Sequence, residues 1–292
     1  MVKWIQLLVT GITMGSIYSL IALGYVTIYR TSRIVNMAQG AFVMLGAYFA
    51  YSFFSELHLP YWVSAVLSII SVVIVGLLIY VLVLRPLIKV SLVSIILATM
   101  AVSILFENFG LIRYGGYGKS VPSFTGDKAL FIGKVAVFPQ SLWVMGLMIA
   151  VLIGLYALTN LTRVGKQMTA TANDPAAASL AGVKTGRMIL LAFAISAAIG
   201  ALGGIAITPI NATNYQSGGI YALSGFVAAI LGGWGSSSGA VVGGLALGII
   251  QSVVTGFLPA GYQDAVAFAI LILVLYFRPS GLLGTPSTEG EA

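Results

Sequence analysis

Cysteine is absent from this chain of 292 residues, histidine occurs once, and aspartate and glutamate together number seven. Without cysteine, disulfides and thiolate chemistry are excluded. His58 lies in a short loop with Glu56 and Pro60, and no second imidazole exists to share a metal, so it reads as a solvated loop residue. Charged residues of all kinds make up 7% of the chain, whereas an ordinary soluble domain carries about 25%. Acid–base catalysis has little to draw on. Only Glu107 and Asp264 fall in or beside apolar segments, they are far apart in sequence, and no nucleophile stands near a base. No metal, no cofactor and no enzymatic reaction are therefore expected.

What fills the chain instead is apolar. Hydrophobic residues reach 59%, more than water can cover but not more than lipid can. A hydrocarbon core about 30 Å thick takes roughly 20 apolar residues per helical span, and such runs recur almost throughout. They predict an all-α polytopic membrane protein of about eight or nine transmembrane helices. The spans are Ile5–Tyr29, Val35–Phe54, Tyr61–Leu84, Ser91–Ile112, Phe138–Leu158, Met188–Ile210, Ala222–Leu231, Ala240–Phe257 and Ala265–Phe277. The first run is long enough to span and only Lys3 precedes it, so it is read as a helix rather than a cleaved signal. One membrane domain, residues 1–284, is expected. The Pro-, Ser-, Thr- and Glu-bearing stretch from Arg278 onward reads as disordered, with residues 285–292 forming a tail outside the domain.

The net charge of +7 raises nucleic acid as a partner, but no basic stripe interleaves with aromatics. Retention of Lys and Arg on the cytoplasmic side explains the charge better. With the N-terminus outside, Arg30, Arg33, Arg85, Lys89, Arg163, Lys166, Lys184, Arg187 and Arg278 lie inside. Lys3, Arg113, Lys119, Lys128 and Lys134 lie outside. The balance favours N-out, C-in with nine crossings.

Thirty-five glycines fit close helix packing in lipid. The run from Gly232 to Gly239 is a different matter: too flexible for a helix interior, it is expected to be a re-entrant loop or part of a crossing, buried in protein or lining a wet cavity. No lysine follows it, so it is not a phosphate loop. A faint echo links Gly40-Ala-Phe-Val-Met-Leu-Gly46 to Gly219-Ile-Tyr-Ala-Leu-Ser-Gly225. Opposite starting sides would make it an inverted repeat, but among glycine-rich spans it is read as coincidence.

Polar residues inside a membrane are costly and mark candidate functional sites. Asn36 and Gln39 open the second span, and Glu107 interrupts the fourth, with Asn108 as a possible hydrogen-bond neighbour. Asn214 and Gln216 follow the sixth. Amides and hydroxyls with few charges suit a small polar or zwitterionic solute better than a bare ion. On the inner side, Asp174 can cap a helix whose first turn holds Pro175. Ala176, Ala177 and Ala178 continue that helix and Gly182 stops it. The product is a short cytoplasmic helix whose small face, led by Ala177 and Ala178, suits a partner's groove.

At these residues the chain resembles the permease subunits of branched-chain amino acid ABC importers, the Liv type. Five stretches carry the resemblance: Gly15-Ser-Ile-Tyr-Ser-Leu-Ile-Ala-Leu-Gly24, Asn36-Met-Ala-Gln-Gly40, Gly165 to Gly182, Leu231 to Ala240, and Tyr262 to Phe268 with Phe277 to Leu282. The resemblance implies a helical fold like that of vitamin-type importers and a second, similar permease as partner. It also implies two cytoplasmic ATPase subunits, a periplasmic solute-binding protein, and residence in the lipid of the inner membrane. The family's docking element, Glu-Ala-Ala-x-x-x-Gly, maps onto Ala176 to Gly182, with Ala176 where glutamate is usual. ATP hydrolysis then belongs to separate subunits. Branched-chain or other hydrophobic amino acids are the expected cargo, and urea or short amides are the alternative. An ion-coupled carrier working alone is a rival of another class, disfavoured because proton relays need intramembrane acids.

Overall fold

A computed structural model describes residues 2–87, 90–126, 128–132, 135–259 and 262–284. Helices dominate because almost every segment is an apolar run that must satisfy its own backbone hydrogen bonds in lipid. In order they are α1 (Val2–Ser32), α2 (Gln39–Tyr51), α3 (Tyr61–Leu87), α4 (Leu92–Tyr114) and α5 (Pro139–Leu161). Then come α6 (Arg163–Asn173), α7 (Pro175–Leu180), α8 (Thr185–Ile207), α9 (Ser217–Gly232), α10 (Ser237–Phe257) and α11 (Gln263–Phe277). A small antiparallel hairpin, β1 (Leu130–Ile132) with β2 (Val135–Val137), precedes α5. Six helices, α1, α3, α4, α5, α8 and α10, are long and apolar enough to cross a membrane. The chain is therefore a multi-pass helical membrane protein, and α2, α9 and α11 supply the shorter apolar segments.

The long helix α1 runs through the centre. Seventeen of its residues are buried, from Gly11 to Thr31. Glycine explains how other helices come so close. A Cβ on Gly15 would stand 2.8 Å from the Leu245 Cα, and one on Gly11 2.7 Å from the Ile249 Cα. Hydroxyls fasten the same seam: Ser19 Oγ donates to the Val241 carbonyl at 3.0 Å and Ser252 Oγ to the Leu7 carbonyl at 2.7 Å. In lipid the hydrophobic effect does not pull helices together, so close van der Waals approach and such bonds, each about 0.6 kcal/mol, do that work.

Contacts at the helix ends sort the molecule into two faces. At one, Lys3 Nζ donates to the Gly256 carbonyl at 2.8 Å, and Gln6 pairs with Ala136 of the hairpin. Arg113 of that face pairs with Glu56 at 2.6 Å. At the other, Arg30 Nη1 donates to Ser237 Oγ at 3.2 Å and Tyr80 Oη to the Gly186 carbonyl at 3.1 Å. The apolar helices alternate between these faces.

Two helices begin inside the bundle rather than at its surface. After α1, Arg33 takes φ +57° and residues 33–38 run back non-helically to Gln39. After α8, residues 208–216 do the same from the opposite face before Ser217. The two starts meet, since a Cβ on Gly40 would overlap the Gly218 carbonyl. From there α2 runs to the Arg113 face and α9 to the Arg30 face. The later glycines complete the relation: Gly46 of α2 lies against Ala201 of α8, and Gly225 of α9 against Ile21 of α1. The echo read as coincidence is thus an inverted pair of re-entering helices.

The Gly/Ser run also differs from expectation. It neither re-enters nor crosses; residues 233–236 are a tight turn joining α9 to α10 at the Arg30 face. Gly233 and Gly235 take φ +111° and +88°, values that favour glycine, and Ser236 Oγ caps α10 at Gly239 N, 3.0 Å away. The stretch from Arg278 to Gly284, expected to be disordered, is instead held in place. Leu282 N and Leu283 N donate to the Leu231 and Gly232 carbonyls at 2.9 Å, so residues 278–284 belong to this turn. The expectation for 285–292 lies outside the described residues.

Candidate functional site

Glu107 stands one-third of the way from the end of α4, facing inward between α4 and α9. Its carboxylate meets the Gly219 backbone, and its Oε1 would be 3.2 Å from a Cβ there. Around it is a cleft of about 310 Å³, at the lower end of the range for small-molecule sites. Tyr25 of α1, Met37 of the re-entering segment, Met100, Ser103 and Ile104 of α4, and Ala222, Leu223 and Phe226 of α9 form its other walls. Apart from Glu107 the lining is largely aliphatic, thioether and aromatic. The Tyr25 hydroxyl is turned to the Ala222 carbonyl, 3.1 Å away. The cleft can accept a solute with one cationic group and an apolar body.

Of the polar residues singled out in sequence, only Glu107 faces this cleft. Gln39 is fully buried deeper in the bundle, and its amide is consumed by Ser196: Nε2 donates to the Ser196 carbonyl at 3.2 Å and Oε1 accepts from Ser196 Oγ at 2.7 Å. Ser196 Oγ also reaches the Gly24 carbonyl, so this trio ties α1, α2 and α8 together. Asn36 is buried beside it and turns the re-entering chain, its Oδ1 accepting from Ala38 N at 3.2 Å. Asn214 Oδ1 accepts from Gln216 N and Ser217 Oγ, both at 3.0 Å, shaping the start of α9, while the Gln216 side chain is exposed. Asn108 does not pair with Glu107. It is exposed and donates to the Ile104 carbonyl at 2.8 Å, because successive residues of a helix point about 100° apart.

The Arg30 face carries a second candidate. Asp174 caps α7 as expected, Oδ1 accepting from Ala176 N at 2.8 Å and Ala177 N at 2.9 Å. Gly182 ends it at φ +85°, with Val183 N returning to the Ala178 carbonyl at 3.0 Å. The exposed face differs from the expected one. Ala177 and Ala176 are exposed, but Ala178 is buried against the chain itself. Leu180, missed in the sequence, is 92% exposed. The preceding α6 was also missed. It is amphipathic, burying Gly165, Met168 and Thr171 at intervals of three, a spacing that could have shown it.

Comparison with known proteins bears on both places. The family described as "Branched-chain amino acid transport system / permease component" matches residues 7–275. The high-affinity branched-chain amino acid transport system permease protein LivH of Salmonella typhimurium is 30% identical over 98% of this chain and 97% of its own length. BraD of Pseudomonas aeruginosa, described in the same words, is 30% identical with the same coverage. Among solved structures, a chain of PsaBC from Streptococcus pneumoniae in complex with Fab superposes with a TM-score of 0.50 at 16% identity. That match covers 95% of this chain and 90% of the other, and it speaks for the fold.

Proposed function

Since this chain belongs to the permease-component family of branched-chain amino acid transport systems, we propose that it forms one half of the path of an ATP-binding-cassette importer in the inner membrane, moving branched-chain amino acids into the cytoplasm. A second, similar permease supplies the other half, two cytoplasmic ATPase subunits drive the cycle, and a periplasmic binding protein delivers the solute. The observation that carries the substrate reading is Glu107 in its otherwise apolar cleft. A carboxylate attracts the ammonium of an amino acid, and the thioether, aliphatic and aromatic walls accept a branched side chain. Urea has no apolar body to bury there. Met100, Ile104 and Leu223, which line the cleft, are themselves exposed, and the second permease closes the cleft over them.

Glu107→Gln keeps the shape and removes the charge. A hydrogen bond to a charged group is worth about 1.5–3 kcal/mol, so leucine uptake in membranes containing the whole importer is expected to fall roughly tenfold or more, with unchanged chain levels. Uptake at the wild-type rate would remove Glu107 from the path.

Orientation follows from charge: the face with Arg30, Arg163, Lys166, Lys184 and Arg187 is cytoplasmic. Native cysteine is absent, so single cysteines at Lys184 and Lys128 report cleanly. An impermeant maleimide applied to whole cells is expected to label position 128 and spare 184. Equal labelling contradicts the orientation.

A further inference from the structure

Three cations of the Arg30 face surround a cavity that the transport reading does not use. Arg85 ends α3, Lys184 precedes α8, and Arg187 lies in the first turn of α8; together they bound a space of about 520 Å³. The room is real on its α8 side, since a Cβ on Gly182 would meet nothing within 4 Å and one on Gly186 only the Tyr80 hydroxyl at 3.7 Å. Among the described residues, none lining the cavity is an acid. Among the described residues the ion pair found is Arg113 with Glu56, on the opposite face. Asp174 is engaged in its own cap, and Glu107 lies in the cleft. The α8 N-terminus adds partial positive charge, and no side chain caps it.

Like charges gathered around one cavity repel each other, and an anion reverses the sign. The wall tells which anion. On α3 the cavity is continuous with Val81, beyond which Leu78 and Leu82 are exposed at 51% and 69%. A strip of apolar surface thus rises from the cations along the lipid-facing side of α3. A ligand matching both parts has a phosphate at one end and hydrocarbon at the other.

We infer that the cavity between the end of α3 and the start of α8 binds the headgroup of an anionic glycerophospholipid, its phosphate on Arg85, Lys184 and Arg187 and its acyl chains along Val81, Leu82 and Leu78. The bound lipid bridges α3 to Ser179 of α7 and to Gly182 just beyond it, and so steadies the placement of α7. The inference stands apart from the cargo: it needs only that this end meets a leaflet containing anionic lipid.

The test uses the full-length chain in nonionic detergent, with phosphatidylglycerol, phosphatidylcholine or inorganic phosphate added, read by native mass spectrometry and thermal melting. Each cation near such a headgroup contributes about fivefold to binding. Phosphatidylglycerol is expected to remain bound to the wild type and raise its melting temperature, and the triple variant Arg85→Gln, Lys184→Gln, Arg187→Gln should bind it on the order of a hundredfold more weakly. Lys166→Gln, on the same face but outside the cavity, should bind as the wild type does. If the triple variant does not fold, the exposed Lys184→Gln alone must still show about a fivefold loss. Undiminished lipid binding in the variants overturns the inference. So does equal stabilisation by inorganic phosphate, which would make this a site for soluble phosphates, or by phosphatidylcholine, which would make it indifferent to charge.

Discussion

Gly248→Leu is expected to leave almost no folded protein in the membrane. Gly248 sits where α10 crosses α1, and a Cβ there would overlap the Gly15 backbone and crowd the Gly11 carbonyl. The obstructing atoms are main chain, so no rotamer change relieves the clash, and the two axes must separate. Separation then loosens the neighbouring close approaches, Gly11 to Ile249 and Gly15 to Leu245, and pulls Ser19 Oγ from the Val241 carbonyl. Overpacking a tight interior costs about 1–3 kcal/mol and sometimes more. Contact with backbone at the most buried seam places this case at about 3 kcal/mol or above. Gly146→Leu is the control, because Gly146 is exposed on α5 and an added Cβ meets nothing within 4 Å. Detergent extracts run on size-exclusion chromatography should show a monodisperse peak for the wild type and Gly146→Leu, and aggregate or nothing for Gly248→Leu. Equal peaks would mean that α1 and α10 can move apart freely.

The same seam shows which parts of the molecule are legible in sequence. Hydropathy alone finds the nine apolar segments, because in lipid a long apolar run has one stable backbone form, but it misplaces the two that start inside the bundle, expecting Val35 for Gln39 and Ala222 for Ser217. Helix ends governed by neighbours in sequence are also legible: Asp174, Pro175 and Gly182 mark α7 within a residue. What depends on distant partners is not. Gly232 to Gly239 reads as flexible chain, yet residues 233–236 form a fixed turn, because residues 281–284, some fifty positions later, pack against it. Gln39 reads as a polar residue in a path, whereas Ser196 occupies its amide. Glu107 and Asn108 are neighbours in sequence but face different ways on α4. The walls of the cleft come from α1, the re-entering segment, α4 and α9, so Tyr25, Met37 and Phe226 carry no local signal. The inverted pairing of α2 and α9 left as its sequence trace only the pair Gly40 and Gly46 against the pair Gly219 and Gly225, too little to separate from the general abundance of glycine.

Leu180→Asp and Gly182→Val should each uncouple the permease from its proposed ATPase while leaving it in the membrane. Leu180 projects from α7 almost wholly exposed, beside exposed Ala177, on the face assigned to the cytoplasm. An apolar side chain held out on a short, firmly capped helix is well placed to fill a partner's pocket, and burying a leucine contributes about 1.5–3 kcal/mol. Aspartate loses that and adds a charge that must be desolvated. Gly182 acts differently. Its φ of +85° is strained for a β-branched residue, so valine should shift the end of α7 and the aim of Leu180 with it. Ala177→Arg tests the rim of the same surface by bulk and charge, whereas Ala178 is buried and its replacement would confound docking with folding. None of the three changes touches the lipid-facing helices. Co-purification of the ATPase and ATP-driven leucine uptake are expected to drop about tenfold or more for Leu180→Asp and Gly182→Val. The loss should be smaller for Ala177→Arg, with membrane levels held constant. If all three variants keep the ATPase and full uptake, α7 is a connector and the coupling surface lies elsewhere on this face.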